Sequence, residues 1–589
     1  MEPDVVIALD IGSTYSGYAC QFRDNFKNNP KEIWMNNRWG STSNTTSKTT
    51  TCVLIKVMGK ERVAIGDNAE MEFFKLYDKY DPNDQKAKNE ALDYLFFKNF
   101  KMILYDQTFK DDEGKKGSAE DYFGRHEPIT FVMSKFIEGL KEDCIKKFKE
   151  SRNLTIPEEN IRWVITVPAI WNDDAKKAMR ISAVKAGIPD DRLILALEPE
   201  AAAVHCMHLS SQEKASMDFL GDVGDKFMVV DLGGGTVDIT AFEVIDDGCL
   251  KQITRANGGP WGGQRINDSF SQLVRDVFQT EDGKSAFASC KRADLLKMEQ
   301  EFEQQKVNIL DETPRGEEWI KLPLPADIWD EIKGHIKVNP IKYSKYFDKQ
   351  RTGLVLKPNV IAKESFGETI SQIVKHLQAV FREASVQDIR KIVLVGGFAE
   401  APIVREKIQE GLSGKHIFVP TNPFYAVLRG AVLYGHNPDI FKSRISRFTY
   451  GICVLSPFDP SKHDESRKTR KGDGTYLCKD IFDVLVKRDQ IVALNVEQPT
   501  MIYHPHNEDQ TKVPLKIYQS ESQNPIYVTD KGCKKLGTLI VEMPDTTGGC
   551  NRKIEVTMIY GGTELGVKAI DKNTGKEFKT EIAFDRYSS

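Results

Sequence analysis

"VVDLGGGTVDIT", residues 229–240, sets three consecutive glycines between Asp231 and the pair Thr236 and Asp238. Glycine loses more backbone freedom on folding than any other residue. Three in a row therefore call for a tight turn or for something large that approaches the backbone closely. The flanks narrow the choice. Phe227, Met228, Val229 and Val230 read as a buried strand, and Val237, Ile239, Ala241 and Phe242 continue in strand-like steps. The glycines join two strands. A dinucleotide-binding G-x-G-x-x-G loop runs from strand into helix, and a P-loop needs G-K-[ST], so neither fits. A plain hairpin explains the turn but not Asp231, Asp238 and the Thr236 hydroxyl around it.

The arrangement recurs near the N-terminus. "VVIALDIGSTYSGYACQF" (5–22) has a β-branched run ending in Asp10, then Gly12, Ser13 and Thr14, then a second strand-like run. Two such hairpins suggest two related halves, each offering a carboxylate and a ring of backbone N–H groups. Backbone amides in glycine turns form concavities suited to phosphate. Carboxylates beside phosphate suit Mg²⁺, which takes oxygen ligands and keeps several waters.

Composition bounds the rest. A chain of 589 residues predicts several domains. Charged residues make up 29% and the formal net charge is −4, so there is no electrostatic case for nucleic acid. Ten cysteines lie scattered without C-x-x-C or metal-ligand spacing, which predicts free thiols in a reducing compartment. The N-terminal apolar stretch is interrupted by Asp10 and reads as a core strand rather than a signal peptide. No apolar run reaches the roughly 18 residues of a membrane span. A soluble, cytoplasmic protein is expected, and the basic "SRKTRK" (466–471) reads as a solvated loop rather than a nuclear signal.

Apolar periodicity predicts an amphipathic helix within 126–151 and further helices over 173–187 and 285–310. "IRKIVLVGGFAEAPIVREKIQEGL" reads as strand, glycine turn, helix, and "NPFYAVLRGAVLYG" as another helix. After about residue 445 the texture changes to short alternating strands such as "PLKIYQ", "LGTLIVEM" and "KIEVTMIYGG" between turn signals. That pattern predicts a β-sandwich. The chain is α/β over 1–444 and all-β over 445–589.

Five segments in this order, "LDIGSTYSG", "VITVPAIWND", "LEPEAAA", "VVDLGGGTVDIT" and "IVLVGGFAEAPIV", resemble the nucleotide-binding half of the Hsp70 chaperone family. That family lies within the superfamily of actin, sugar kinases and Hsp70 ATPases. "IEVTMIYGGTELGVKAIDKNTGKEFKTEI" (554–582) is similar to the end of the family's peptide-binding sandwich. "GYA", "WVITVPAIW" and "GGFAEAP" are most similar to the divergent 12A and 12B branch.

The resemblance implies a two-lobed actin-like ATPase domain with duplicated halves over 1–444. A β-sandwich for peptide or partner would follow over 445–589. No helical lid is expected, since the chain stops at Ser589 just after that sandwich. By position, the implied Mg²⁺ is held through water by Asp10 and Asp231. The implied phosphate cradle is Gly12, Ser13, Thr14 and Tyr15 with Gly233, Gly234, Gly235 and Thr236. Lys101 falls where a lysine meets the transferred phosphate, and Glu198 where a carboxylate places the attacking water, although a helix-start glutamate would also satisfy backbone donors. Asp238 would support either the metal shell or that water. Lys306, Gly396 and Gly397 fall in the adenosine site, and Pro168 where nucleotide state is coupled to the second domain. Ile452, Leu455, Val513 and Leu515 would line a peptide groove, or else fill the sandwich core.

Departures from the family pattern are concentrated at the base end. Val307 replaces an arginine that stacks on adenine, Phe398 and Glu400 replace serine and arginine, Phe424 replaces aspartate, and Gln264 replaces glutamate. "FKSRISRFTYG" stands in place of the apolar linker, and the ending "DRYSS" lacks the acidic tail that recruits co-chaperones. The resemblance implies ATP or ADP with Mg²⁺ and a slow ATPase with chaperone-like binding of polypeptide clients. The alternative is a nucleotide-binding scaffold or signalling adaptor with negligible hydrolysis that docks a specific partner. A sugar kinase leaves the sandwich unexplained.

Overall fold

The structure, a computed structural model, describes residues 3–39, 46–78, 85–105, 117–216, 221–277, 292–309, 320–322, 354–356, 358–471, 474–494, 496, 499–561 and 564–581. Most of the 311–360 stretch and the "DRYSS" ending lie outside the described residues.

Two sheets carry the first three-quarters of the chain. In the first, Val5–Ile11 is antiparallel to Tyr15–Phe22 and parallel to Ile161–Val167, which is parallel to Leu193–Leu197. In the second, Lys226–Leu232 is antiparallel to Val237–Val244 and parallel to Lys391–Val395, which is parallel to His416–Phe418. The two central strands are buried along nearly their whole length because both faces of each sheet are covered. Alternation divides their side chains. Ile7 and Leu9 pack into a core on the first side and Met228 and Val230 into one on the second. Val6, Ala8, Phe227 and Val229 share a third core between the sheets.

That shared core holds the helices Glu198–Met207 and Ala426–His436, which touch through Ala201 and Gly430. A side chain at 430 would collide with the Ala201 carbonyl, so glycine is required there for the two axes to approach. The predicted amphipathic helix is Ile129–Arg152, burying Val132, Met133, Phe136, Leu140 and Cys144 on one face. The 173–187 helix runs Asp173–Lys185, capped by the Asn172 side chain accepting from Ala175 N. The 285–310 region contributes Arg292–Gln305.

Beyond residue 445 the described residues form no α-helix. A five-stranded sheet, ordered 468–470, 476–486, 449–457, 512–520 and 533–542, faces a four-stranded sheet, ordered 501–503, 554–561, 564–571 and 577–581. Both contribute to one apolar core. The junction differs from a linker. Phe441–Ile445 is a strand of the second nucleotide-side sheet, parallel to Leu250–Gln252, and Ile491–Ala493 returns to pair with it. A boundary at 444/445 therefore falls inside a strand. "SRKTRK" is likewise not all loop, since Lys468–Arg470 pairs with Tyr476–Cys478. Among the described residues all cysteines are free, and no helix is long and apolar enough to cross a membrane.

Candidate functional site

Both hairpins open at the carboxyl ends of the central strands, where open α/β sheets present their ligand crevices. There the structure has a cavity of about 870 Å³ lined by both hairpins, Lys101, Glu198, Lys306, Gly396 and Gly397. The hairpins touch. A side chain on Gly234 would meet Thr14 Oγ1 at 2.5 Å, and one on Gly235 would overlap Ser13 Oγ. The three glycine carbonyls of the second hairpin are taken by N–H groups of 262–264, with Gly263 N to Gly233 O at 3.0 Å and Gln264 N to Gly234 O at 2.8 Å. Among the described residues the N–H groups of Gly234 and Gly235 have no backbone acceptor, as an oxyanion cradle requires.

Behind the cradle lies a buried cluster of carboxylates. Lys101, itself 2% exposed, donates to Glu198 Oε1 at 2.6 Å and stands 5.4 Å from the Trp171 ring centre. Asp10 pairs with Lys48 at 2.7 Å and accepts from Thr166 Oγ1 at 2.6 Å. Asp238 accepts from Ile170 N at 2.9 Å through Oδ1, while its buried Oδ2 has no partner. Burial pushes Asp231 well above the ordinary carboxylate range, reinforced by Glu198, Asp238 and Asp10. Burial acts most strongly on Asp10 as well, but Lys48, Thr166 and Lys101 together outweigh it and hold that carboxyl below its usual value.

Burial also drives Glu198 up to about 7, with Lys101 opposing the rise and Asp238 and Asp10 adding to it. Glu198 thus takes up a proton when the nucleotide-free chain folds. The stability this supplies is complete below pH 4.5 and is lost as the pH rises through about 7. Across that window the thermal midpoint of wild type should fall more than that of Glu198→Gln. Parallel melting curves from differential scanning calorimetry would remove Glu198 from the titrating set.

The carboxylates Asp10, Glu198, Asp231 and Asp238 outnumber their lysine partners Lys48 and Lys101. Among the described residues no three His, Cys, Asp or Glu side chains are placed to ligate a metal directly. The excess of carboxylates over cations, which a bound cation would help to ionise, and the orphaned Asp238 oxygen fit a hydrated Mg²⁺ reached through its own waters, not a stripped ion.

The base end differs from expectation. Val307 lines the cavity beside Lys306, whose ammonium is fixed by Glu303, by Gly263 O at 3.0 Å and by Asn267 Oδ1 at 3.1 Å. Phe398 is mostly committed to the second core, near Phe366. Phe424, grouped by its motif with the base end, lies between Tyr15 of the first hairpin and Gly397. Its ring meets Tyr15 edge-on at 5.8 Å, covers Gly397 and carries the Lys48 ammonium 4.4 Å from its centre.

Sequence reasoning missed Lys48. It reaches Asp10 because Lys48–Thr50 pairs with Tyr15–Gly17. The available signal was Gly17, whose side chain, if present, would strike Ser47 O at 2.7 Å.

The groove residues are corrected. Ile452, Val513 and Leu515 are buried in the core between the two C-terminal sheets, whereas Leu455 is 43% exposed. Alternation does place Val513, Leu515 and Ile517 on one face, and that face turns toward the second sheet.

The fold and cavity define an α/β protein whose two glycine hairpins meet over one cleft. The family model described as Hsp70 protein matches residues 135–325. The chain is 32% identical over 650 residues to "Heat shock 70 kDa protein 12A" of Homo sapiens, covering 99% of this chain and 92% of that one. The same protein of Mus musculus is 31% identical with the same coverage. "Heat shock 70 kDa protein 12B" of Homo sapiens is 30% identical over 647 residues, covering 98% and 91%. The chain belongs to the Hsp70 family, in its divergent group of 12A-like and 12B-like members, and is an Hsp70-like ATP-binding protein.

Proposed function

We propose that this protein is a slow, Mg²⁺-dependent ATPase that binds polypeptide segments in a chaperone-like way. Two duplicated actin-like halves would form the nucleotide domain, and a C-terminal β-sandwich would form the binding domain. The observation that carries the reading is the Lys101–Glu198 pair at 2.6 Å, buried in a cavity lined by both glycine hairpins. Phosphoryl transfer to water needs positioned charge and an oriented nucleophile more than covalent help. The glycine N–H groups would hold the phosphates, and Lys101 would follow the transferred group as a compact charge. Glu198, released from Lys101, would orient the attacking water and receive its proton. Mg²⁺ held through water by Asp10 and Asp231 would supply charge to the phosphate oxygens.

A second reading, a nucleotide-binding scaffold with negligible turnover, is supported by Lys48. This cation already neutralises Asp10 and is seated on Phe424. Steady-state ATPase measurements on wild type and Asp231→Ala, with nucleotide affinity measured in parallel, separate the two. The ATPase reading expects turnover that falls by roughly a hundred-fold or more in the variant, about 2.7 kcal/mol of barrier. Equal background rates with nucleotide binding retained in wild type would establish the scaffold.

A further inference from the structure

A second cavity, of about 620 Å³, lies against the same two helices that reach the nucleotide site. Glu198–Met207 begins at Glu198 in the first cavity, and its C-terminal end brings His205 and His208 to the second. Ala426–His436 offers Val427 to the first and Arg429 and Leu433 to the second. Lys31, on the loop before Trp34–Met35, closes the rim. The volume is in the range of small-molecule sites, and Leu209, Phe418 and Val419 give it an apolar wall.

Its charge is positive on balance, with Arg429 and Lys31 set against Glu213. The buried Nε of Arg429 has no hydrogen-bond partner, and among the described residues no carboxylate pairs with Arg429 or Lys31. Glu213, the one acidic lining residue, is held ionised against the opposing push of burial by hydrogen bonds that lower it to about 2 and tie it to Ser210 and Thr421. Its Oε2 accepts from Ser210 Oγ at 2.7 Å and Ser210 N at 3.1 Å, and its Oε1 from Thr421 N at 3.3 Å. His208 Nδ1 donates to Val204 O at 2.9 Å, since a carbonyl can only accept, so its Nε2 is left for another partner.

We infer that this cavity is a binding site for a small oxyanion, a phosphate or carboxylate compound with a compact apolar part, held by Arg429, Lys31 and the two histidines. Nothing in the nucleotide reading requires it, and it stands if that reading fails. The surrounding electrostatics agree. Burial, then Arg429, lowers His205 to about 4 against the opposing pull of Glu213, and burial with Lys214 and Lys31 lowers His208 although its bond to Val204 resists. A bound anion would offset that repulsion and return protons to both rings, adding donors to itself.

The test is histidine-selective NMR on the full chain titrated with inorganic pyrophosphate in one arm and citrate in the other. No histidine lines the nucleotide cavity among the described residues, so the imidazole signals of His205 and His208 report directly on this site, and the Arg429→Gln arm separates binding here from any effect passed along the shared helix. The expected result is saturable movement of both signals toward the protonated form in at least one arm, which also names the preferred anion. Arg429→Gln should weaken binding roughly ten-fold or more, the loss expected for a charge-assisted hydrogen bond. If Arg429→Gln does not fold, Lys31→Ala, a change at an exposed position, should weaken it a few-fold. Silence of both histidines at millimolar anion in both arms overturns the site, as does unchanged affinity in the folded variants.

Discussion

Gly234→Val is expected to lose MgATP affinity by about a hundred-fold, close to 2.7 kcal/mol, while the protein stays folded. The effect has two sources at one atom. A Cβ at 234 would lie 2.5 Å from Thr14 Oγ1 and 3.2 Å from Thr14 Cβ, so it wedges apart the two hairpins that must close on the phosphates. Overpacking of this kind costs about 1–3 kcal/mol on its own. The branched side chain also stands in front of the Gly234 and Gly235 N–H groups that would face the anion. Isothermal titration calorimetry with MgATP measures the loss, and circular dichroism checks the fold. Wild-type affinity in the variant would remove the hairpins from phosphate binding.

The second large effect lies away from the cavity. Arg444, on the strand that leads out of the nucleotide-side sheet, forms a two-pronged pair with Glu200, with Nε to Oε1 at 2.6 Å. Both side chains are buried, Glu200 at 1% and Arg444 at 8% exposure. Burial alone would lower the Arg444 pKa, yet Glu200 and Tyr434 raise it, so the charge is kept. Removing one partner leaves the other charged and desolvated. Arg444→Met should therefore destabilise the protein by about 3–5 kcal/mol, and Arg444→Met with Glu200→Leu should restore much of it. Urea unfolding followed by tryptophan fluorescence compares the variants. A single variant no less stable than wild type would mean that the pair has no structural role.

What the residues disclosed depended on how local the signal was. The two Asp-and-glycine hairpins were legible because strand, turn and strand lie within a dozen or so positions, and glycine has few other reasons to cluster. Lys48 was not, because it meets Asp10 only through the pairing of two strands about thirty positions apart. The place of Phe424 in a motif carries no information about which way a ring turns, and its ring packs against Tyr15 and Lys48. "FKSRI" stands where the family resemblance places an interdomain linker. It is a sheet strand because Glu200 waits in the core to neutralise Arg444. At Val513 and Leu515 the two-residue period identified the shared face but not what covers it, and the answer is the second sheet.

Ile170 stands two residues beyond Pro168 and belongs to both ends of the molecule. Its N–H is held by Asp238 beside the nucleotide cavity, and its carbonyl accepts from Arg447, just after the strand that leads to the C-terminal sheets. The next turn adds Tyr450 to Asp173 at 3.3 Å and Lys534 to Asp174. A residue clamped from two sides cannot shift toward one without loosening its hold on the other. Thermodynamic reciprocity then sets the rule. If nucleotide binding beside Asp238 alters how firmly the C-terminal sheets are docked, undocking them must alter nucleotide affinity by the same factor. Neither end of the chain would be upstream; each would report on the other.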